Sequence, residues 1–314
     1  MITLPTIIDN CQGWAGAAAI YRPEHVEGWK AVTKAVHDAD GVIFCQLWHL
    51  GRVAHSCFHN LQPIGASAIA AEGRVTDYDG TKHAYEVPRA VELSDIPAIL
   101  DEYRIASRNA KEAGFDGIEL HGANGYFIDT FLQSCSNTRT DQYGGSVENR
   151  FRLLSEIIDV CKESFPSQRI GVRLSPNGSF NGMGSDDNFE SYMTYLAMLN
   201  EKDLAYVHIM DGLGFGFHDK CQQLKLSDAR QVYKGFIIGN VGYTRDSAEE
   251  VIQAGYADAI AFGRPFIPNP DLPQRFENDW PLAETTHDAY WTYPNFPDGD
   301  PSVGYTDYPA YSSS

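Results

Sequence analysis

The sequence has no cysteines at metal-binding spacing and no long apolar segment. Its six cysteines are Cys11, Cys45, Cys57, Cys135, Cys161 and Cys221. Since none of them forms a CxxC pair, we expect free thiols rather than a disulfide framework or a zinc site. No apolar run approaches the ~20 residues of a membrane span, and the N-terminal stretch lacks the basic start of a signal peptide. These absences predict a cytoplasmic protein.

Positive charge is also scarce. The 24 Lys and Arg residues face 42 Asp and Glu residues, which gives a formal net charge of −18. Such a surface repels a polyphosphate backbone, and no basic stripe offsets this, so a nucleic-acid partner is excluded. A small anionic ligand held by a few arginines remains compatible with the composition. The expected partner is therefore a small molecule.

No G-x-G-x-x-G motif follows an early strand, which argues against a doubly wound dinucleotide-binding fold. Instead, short strand patterns alternate with helical patterns. The predicted strands are 42–48, 117–121, 170–174, 206–209, 235–239 and 258–262, and the predicted helices are 24–37, 95–113, 147–164, 188–200 and 247–254. This alternation predicts βαβ units and a parallel sheet. The strands are nearly all apolar, as expected when both faces of the sheet are covered.

Polar residues cluster at the ends of these strands. They are Gln46, His121, Arg173, Asn240 and Arg264. Because the carboxyl ends of barrel strands meet at one mouth, the pattern favours a (β/α)₈ barrel as a single domain over residues 1–314. Six of its eight strands are readable, and the other two should precede Val42.

Two stretches do not follow the strand–helix repeat. Residues 53–94 are too long for a simple βα loop, and such connections tend to be lids or small excursions. Residues 285–314 are rich in Tyr, Trp, Pro and Asp. This segment is either a disordered tail or one that packs partly onto the body through its aromatic residues.

The stretch "LHGANGYFID" (120–129) carries three polar side chains behind an apolar run: His121, Asn124 and Tyr126. Their spacing alone is compatible with a helix cap or with a chemical site.

Six strings, in order along the chain, resemble one known family. They are "FCQLWHLGR", "AGFDGIELHGANGYFIDTFL", "NTRTDQYGGSVENRFR", "GVRLSP", "AFGRPFIPNPDLPQRF" and "GYTDYP". They resemble the Old Yellow Enzyme family of FMN-dependent ene-reductases. The resemblance implies a (β/α)₈ barrel with FMN at its mouth. It also implies hydride transfer from NADPH or NADH, through the flavin, to an alkene conjugated to a carbonyl or nitro group.

The resemblance assigns the substrate side of the site. His121 and Asn124 match the pair that donates hydrogen bonds to the substrate oxygen, where negative charge develops during hydride attack. Tyr126 matches the proton donor, and a phenol with an ordinary pKa near ~10 is protonated at neutral pH, as a donor must be. Trp48 and Tyr305 resemble aromatic residues that line the substrate pocket.

The resemblance also assigns the cofactor side. Gln46 matches a glutamine at the pyrimidine edge of the flavin, and Arg173 matches an arginine beside N1 and O2, where a cation stabilises the reduced flavin. Arg173 is alternatively a structural ion-pair partner. "GNVGYT" and "FGR" resemble the phosphate end, with Gly239, Asn240, Gly263 and Arg264 in the loops after the last two strands.

The front of the chain departs from the family pattern. It begins at what resembles the end of the family's second strand, so about fifty residues and one or two barrel strands are expected to be missing. Two further interpretations stay open: a remnant that binds flavin without redox activity, and a barrel aldolase. The aldolase is disfavoured because the strand ends offer neither a suitable Lys nor a His and carboxylate metal cluster.

Overall fold

Seven parallel strands form the central sheet in a computed structural model, which describes residues 2–3, 6–7, 13–14, 16–212, 216–284, 304 and 306–312. These strands are β1 (Ile2–Thr3), β2 (Phe44–Leu47), β7 (Gly117–Gly122), β8 (Ile170–Leu174), β9 (Tyr206–Met210), β10 (Ile237–Asn240) and β11 (Ala259–Ala261). They lie side by side in chain order without reversal. A doubly wound sheet reverses direction at a switch point, whereas a barrel winds one way, so the order is that of a barrel.

Contacts inside the sheet show that it is curled. The rings of Phe44 on β2 and Tyr206 on β9 are 5.6 Å apart between centroids, although two strands lie between β2 and β9. In a flat sheet, strands separated in this way would be about 14 Å apart, at ~4.8 Å for each step. The side chains therefore meet across a barrel interior.

All six predicted strands are confirmed, with bounds that differ from the prediction by up to two residues. Of the two strands expected before Val42, the described residues contain one. This strand is β1, which pairs in parallel with β2 through Ile2 and Phe44. Within the described ranges, β1 and β11 are the two edge strands of the sheet.

Nine helices surround or flank the sheet in the described part of the chain. They are α1 (Pro23–Asp38), α2 (Ser56–His59), α3 (Ile96–Glu112), α4 (Phe127–Leu132), α5 (Val147–Cys161), α6 (Asn188–Asn200), α7 (Leu226–Val232), α8 (Arg245–Gln253) and α9 (Leu272–Asn278). The five predicted helices are α1, α3, α5, α6 and α8. The other four are too short to show a clear helical period.

Helix α3 illustrates how local sequence sets an element. Ile96, Ile99 and Tyr103 are buried at spacings of three and four residues, which places one apolar face against the sheet. The helix ends before Gly114, whose φ of +88° suits a left-handed C-terminal cap. Asp95 occupies the N-cap position, but its side chain makes no capping bond. Its carboxylate instead accepts a hydrogen bond from Arg89 Nη1 at 2.6 Å.

Alternate strand residues face the surrounding helices or the barrel interior. The outward set includes Leu47, Leu120, Val172 and Val207, all with no exposed surface. Full burial of each such side chain contributes about 1.5–3 kcal/mol. The inward set, by contrast, contains charged and polar residues, so the expectation of strands that are apolar on both faces is wrong for the interior.

Two strand glycines make room for aromatic rings inside the barrel. A Cβ at Gly117 would overlap the ring of Phe44, and a Cβ at Gly171 would overlap the ring of Tyr206. These are the same two rings that meet across the interior. In this layer of the barrel interior, aromatic side chains alternate with glycines. The interior is therefore filled by side chains and has no pore.

Residues 53–94 form an excursion with two small sheets. Its elements are α2, β3 (Ile64–Gly65), β4 (Arg74–Thr76), β5 (Lys82–Ala84) and β6 (Arg89–Ala90). β3 pairs with β6, and β4 forms a hairpin with β5. Val53, Ala71 and Tyr85 of the excursion pack with Trp48 and Tyr126. The excursion is therefore a wall beside the candidate site.

Part of the aromatic C-terminal segment packs onto the body, which is the second of the two alternatives that the sequence left open. The Tyr311 ring stacks on Trp280 at 4.6 Å, and the Tyr311 amide donates to Asp271 Oδ2 at 2.7 Å. Residues 285–303 lie outside the described ranges. No disulfide joins the five described cysteines. No helix among the described residues has the length and apolar content to cross a bilayer.

Candidate active site

A tight turn between β7 and α4 presents the residues of the "HGANGY" motif. Asn124 and Gly125 have φ values of +60° and +74°, a left-handed pair that Asn and Gly adopt most readily. A Cβ at Gly125 would lie 2.9 Å from Asn181 Cβ, so no other residue fits there. The turn directly follows β7, in which His121 is the residue before the last.

The turn is held by side chains from three directions. The backbone N–H of Asn124 donates to Ser175 Oγ at 2.7 Å. Asn181 Nδ2 donates to the backbone carbonyl of Asn124 at 2.8 Å. The Gly125 amide donates to Asp129 Oδ2 at 2.8 Å. Because the backbone groups are satisfied in this way, the turn is fixed independently of any ligand.

Tyr126 occupies the N-cap position of α4, but its side chain makes no capping bond. Its ring instead packs edge-on against Trp48 at 5.0 Å and lies 5.0 Å from the ring of His121. The side chains of His121 and Tyr126 thus lie next to each other at the end of β7, with Asn124 in the turn between them, and Tyr126 does not cap α4.

Burial sets the protonation states at this point. It lowers the pKa of His121 well below its ordinary value, with the positive charge of Arg173 as a further cause. Burial also raises the pKa of Tyr126. At neutral pH the imidazole is neutral with one N–H to donate, and the phenol carries its proton.

Below this cluster, a polar network crosses the barrel interior. Glu119 on β7 has no exposed surface. Its Oε1 accepts a hydrogen bond from Gln46 Nε2, and its Oε2 lies 3.0 Å from His208 Nδ1. Arg173 Nη2 donates to Asn240 Oδ1 at 2.9 Å. Three predicted cofactor residues therefore make polar contacts in the barrel interior: Gln46 bonds Glu119, and Arg173 bonds Asn240.

Several buried nitrogen atoms in this region have no hydrogen-bond partner among the described residues. They are Trp48 Nε1, His121 Nδ1, Arg173 Nε and His208 Nε2. Unsatisfied buried donors are rare in folded proteins because each costs about 1–3 kcal/mol. Trp48 Nε1 and Arg173 Nε are donors, whereas Nε2 of the neutral His208 is an acceptor because Nδ1 faces the Glu119 carboxylate. A flat ring system rich in carbonyl oxygens and ring nitrogens would satisfy the two donors, so the residues present fit FMN.

Of the predicted phosphate residues, Gly239 and Asn240 form the end of β10, and Gly263 and Arg264 follow the end of β11. The two strands pair through Asn240 and Ala261. Gly263 and Arg264 are exposed, and a Cβ at Gly263 would meet nothing within 4 Å. Gly239 lies within β10 with its Cα turned towards Leu226 and Ile260, so only its backbone is available to a ligand.

Four residues that build the site are not indicated by the motifs read from the sequence: Glu119, His208, Asp129 and Asn181. The signal for the first two was present, since Glu119 on β7 and His208 on β9 alternate with apolar residues at the period of a strand. Asp129 and Asn181 act on the backbone of the turn, which no residue pattern marks. Tyr305 lies outside the described residues.

The family model described as NADH:flavin oxidoreductase / NADH oxidase family matches residues 3–283. Putative 12-oxophytodienoate reductase 5 of Oryza sativa subsp. japonica is 40% identical over 307 residues, covering 96% of this chain and 79% of that protein. 12-oxophytodienoate reductase 2 of Arabidopsis thaliana is 37% identical over 318 residues, covering 98% of this chain and 82% of that protein.

Solved structures are similar over nearly the whole chain. The old yellow enzyme homologue from Zymomonas mobilis superposes with a TM-score of 0.91 at 41% identity, covering 99% of this chain and 86% of that one. Morphinone reductase in complex with tetrahydroNAD superposes with a TM-score of 0.89 at 36% identity, covering 99% and 85%. The sheet order and these superpositions agree on a (β/α)₈-type barrel.

Proposed function

This chain belongs to the Old Yellow Enzyme family of NAD(P)H- and FMN-dependent oxidoreductases, and we propose that it reduces the C=C bond of α,β-unsaturated carbonyl or nitro compounds. The observation that carries the proposal is the contact of the His121 and Tyr126 rings beside the barrel mouth, with Asn124 in the turn between them. This set offers neutral hydrogen-bond donors and a protonated phenol to one ligand, which is what reduction of a polarised alkene requires.

We assign the substrate oxygen to His121 and Asn124. Hydride addition at the β-carbon moves negative charge onto this oxygen, and donors held before the reaction stabilise that charge without reorganising. His121 is suited to the role because its lowered pKa keeps it neutral. Tyr126 then delivers its proton to the α-carbon, and Trp48, packed on the Tyr126 ring, lines the pocket for a flat conjugated ligand. Tyr305 is assigned to the same lining.

We assign the cofactor to the interior network and the loops beside it. When bound, FMN supplies two-electron chemistry by accepting a hydride from NAD(P)H and passing it to the alkene. Gln46 would hold the pyrimidine edge of the flavin, and the positive charge of Arg173 would favour the reduced, anionic flavin. The backbone at Gly239, Asn240 and Gly263 and the side chain of Arg264 hold the phosphate.

The test is anaerobic oxidation of NADPH by the FMN-loaded protein with 2-cyclohexenone as the acceptor. Asn124→Gly removes the amide while tolerating the left-handed backbone, and His121→Leu removes the second donor. We expect each variant to lower turnover, and His121→Gln to retain more activity because it still donates. The exposed His37 on α1 provides a matched control, since His37→Gln should leave the rate unchanged.

Two results would contradict the proposal. The first is turnover of 2-cyclohexenone that neither Asn124→Gly nor His121→Leu reduces. The second is a protein that binds FMN, as judged by its absorbance spectrum, but oxidises no NADPH with any enone or nitroalkene. This second result would favour the alternative function, a flavin-binding protein without redox activity.

A further inference from the structure

Glu119 is a carboxylate at the centre of the barrel that the assignments above do not use. It lies on β7 two residues before His121, with no exposed surface. A buried carboxylate without partners is strongly destabilising. Glu119 is retained among partners from two other strands, namely Gln46 on β2 and His208 on β9.

The carboxylate is ionised at neutral pH. Burial alone would raise the pKa of Glu119, but His208, Arg173 and the hydrogen bond from Gln46 together bring it down to about 2. Burial lowers the pKa of His208 as well, so at neutral pH this imidazole is uncharged. The interior therefore holds one negative charge, on Glu119, close to the positive charge of Arg173.

The ionised state of Glu119 dictates the orientation of the Gln46 side chain. An ionised carboxylate only accepts hydrogen bonds, so the amide nitrogen of Gln46 must face it. The Oε1 atom of Gln46 then faces away from Glu119 and can accept a hydrogen bond from a donor on a ligand. The N3–H group at the pyrimidine edge of a flavin is such a donor, whereas the opposite amide orientation would place two donors against each other.

We propose that Glu119 is a positioning residue for the flavin: it fixes the amide orientation of Gln46 and offsets part of the charge of Arg173. The consequence is a lower reduction potential than Arg173 alone would give, because a nearby negative charge disfavours the added electrons. This inference rests on the proposed contacts of Gln46 and Arg173 with the cofactor.

The experiment compares the FMN-loaded protein with Glu119→Gln and Glu119→Asp. We expect Glu119→Gln to shift the midpoint potential of the bound flavin to a more positive value, because it removes the charge and keeps the shape. Its FMN dissociation constant should rise about tenfold, since the Gln46 amide is no longer fixed. Glu119→Asp keeps the charge but shortens the side chain, so it should weaken FMN binding with little change in potential.

Glu156 supplies a control of the same chemistry. It lies on α5 and accepts a hydrogen bond from Tyr143 at 2.9 Å, outside the barrel interior. Glu156→Gln should change neither the potential nor the FMN affinity. If the substitutions acted only through a general loss of packing, stability would fall in all three variants. The midpoint potential of the flavin would then show no shift specific to Glu119→Gln.

An unchanged potential in Glu119→Gln with FMN bound would overturn the inference. If that variant does not fold, Glu119→Asp decides: FMN affinity equal to that of the unsubstituted protein would overturn the positioning role. Enone turnover by the unsubstituted protein is measured in parallel. Turnover with an unchanged potential rejects only the role of Glu119, whereas a potential shift without turnover rejects only the ene-reductase function.

Discussion

At the scale of single residues, the barrel mouth combines neutral donors with a charge pair in the interior. His121 and Tyr126 are 3% and 6% exposed, and this burial keeps both groups uncharged at neutral pH. The charges of Glu119 and Arg173 lie in the strands behind them. A ligand at the mouth therefore meets hydrogen-bond donors without having to displace ion pairs.

Tyr126→Phe tests the proton donor. The ring keeps its contacts with Trp48 and His121, so we expect folding and FMN binding to persist. Loss of general acid catalysis should lower enone turnover by about 10²–10⁴-fold. Stopped-flow measurement should show reduction of the flavin by NADPH at its original rate. Enone turnover equal to that of the unsubstituted protein would exclude Tyr126 as the donor.

Glu102 gives a prediction for stability against pH. Burial, with a contribution from Asp101, raises the pKa of Glu102 to about 8, and its Oε2 has no hydrogen-bond partner in the described ranges. Its neighbour His49, 3.9 Å away, does not compensate, because burial lowers the pKa of His49 to about 3. At neutral pH this contact is therefore not an ion pair.

Since the unfolded chain releases the Glu102 proton near pH ~4.3, the folded state holds the extra proton between about pH 4 and pH 8. Stability therefore falls as the pH rises through this window. Glu102→Gln removes the ionisable group and should be more stable at pH 9, on the order of 1–3 kcal/mol, but not at pH 4. Urea denaturation at both pH values measures this. Glu112→Gln on the same helix is exposed and should show no such difference.

At the scale of elements, the side chains that fill the barrel interior restrict which residues the strands can carry. Gly171→Ala places a methyl group against the Tyr206 ring. We expect a loss of about 1–3 kcal/mol in the free energy of unfolding, because neither neighbouring strand can move away without disturbing the sheet. Chemical denaturation checks this value. The double variant with Tyr206→Leu should be less destabilised than the sum of the two single changes, and strict additivity would contradict the contact.

The loop after β10 contains a strained residue. Val241 has a φ of +81°, which is strongly disfavoured for a β-branched side chain. Val241→Gly should therefore stabilise the protein by about 1 kcal/mol. This gain is the backbone strain that is relieved minus the greater entropic cost of ordering a glycine. Thermal unfolding measures the gain. Val241→Ala keeps a Cβ and should gain less, and a lower melting temperature for Val241→Gly would contradict the strained conformation.

At the scale of the whole molecule, the cofactor links parts of the barrel that are far apart in sequence. The assigned flavin residues come from β2, β8, β10 and the loop after β11. A ligand that contacts all of them only in the folded state stabilises that state. FMN at about 100 times its dissociation constant should add about 2.7 kcal/mol. Thermal unfolding with and without FMN measures this, with riboflavin as the control that lacks the phosphate, and no shift at saturating FMN would contradict these contacts.

The sequence by itself determined the barrel class, five of the helices, the residues of the "HGANGY" motif and, within the described ranges, six of the seven strands of the central sheet. These features are local: strand alternation with helices has a short period, and the motif residues are close in sequence. The sequence did not locate β1, because a strand of two residues is too short to show an alternating pattern.

Only the tertiary structure decided which polar groups meet inside the barrel. Gln46, Glu119 and His208 are separated by 73 and 89 residues, and their contact depends on how the sheet curls. The tertiary structure likewise showed that Asp129 and Asn181 fix the turn before Tyr126. The physical reason is that protonation state, amide orientation and turn conformation depend on burial and on distant neighbours.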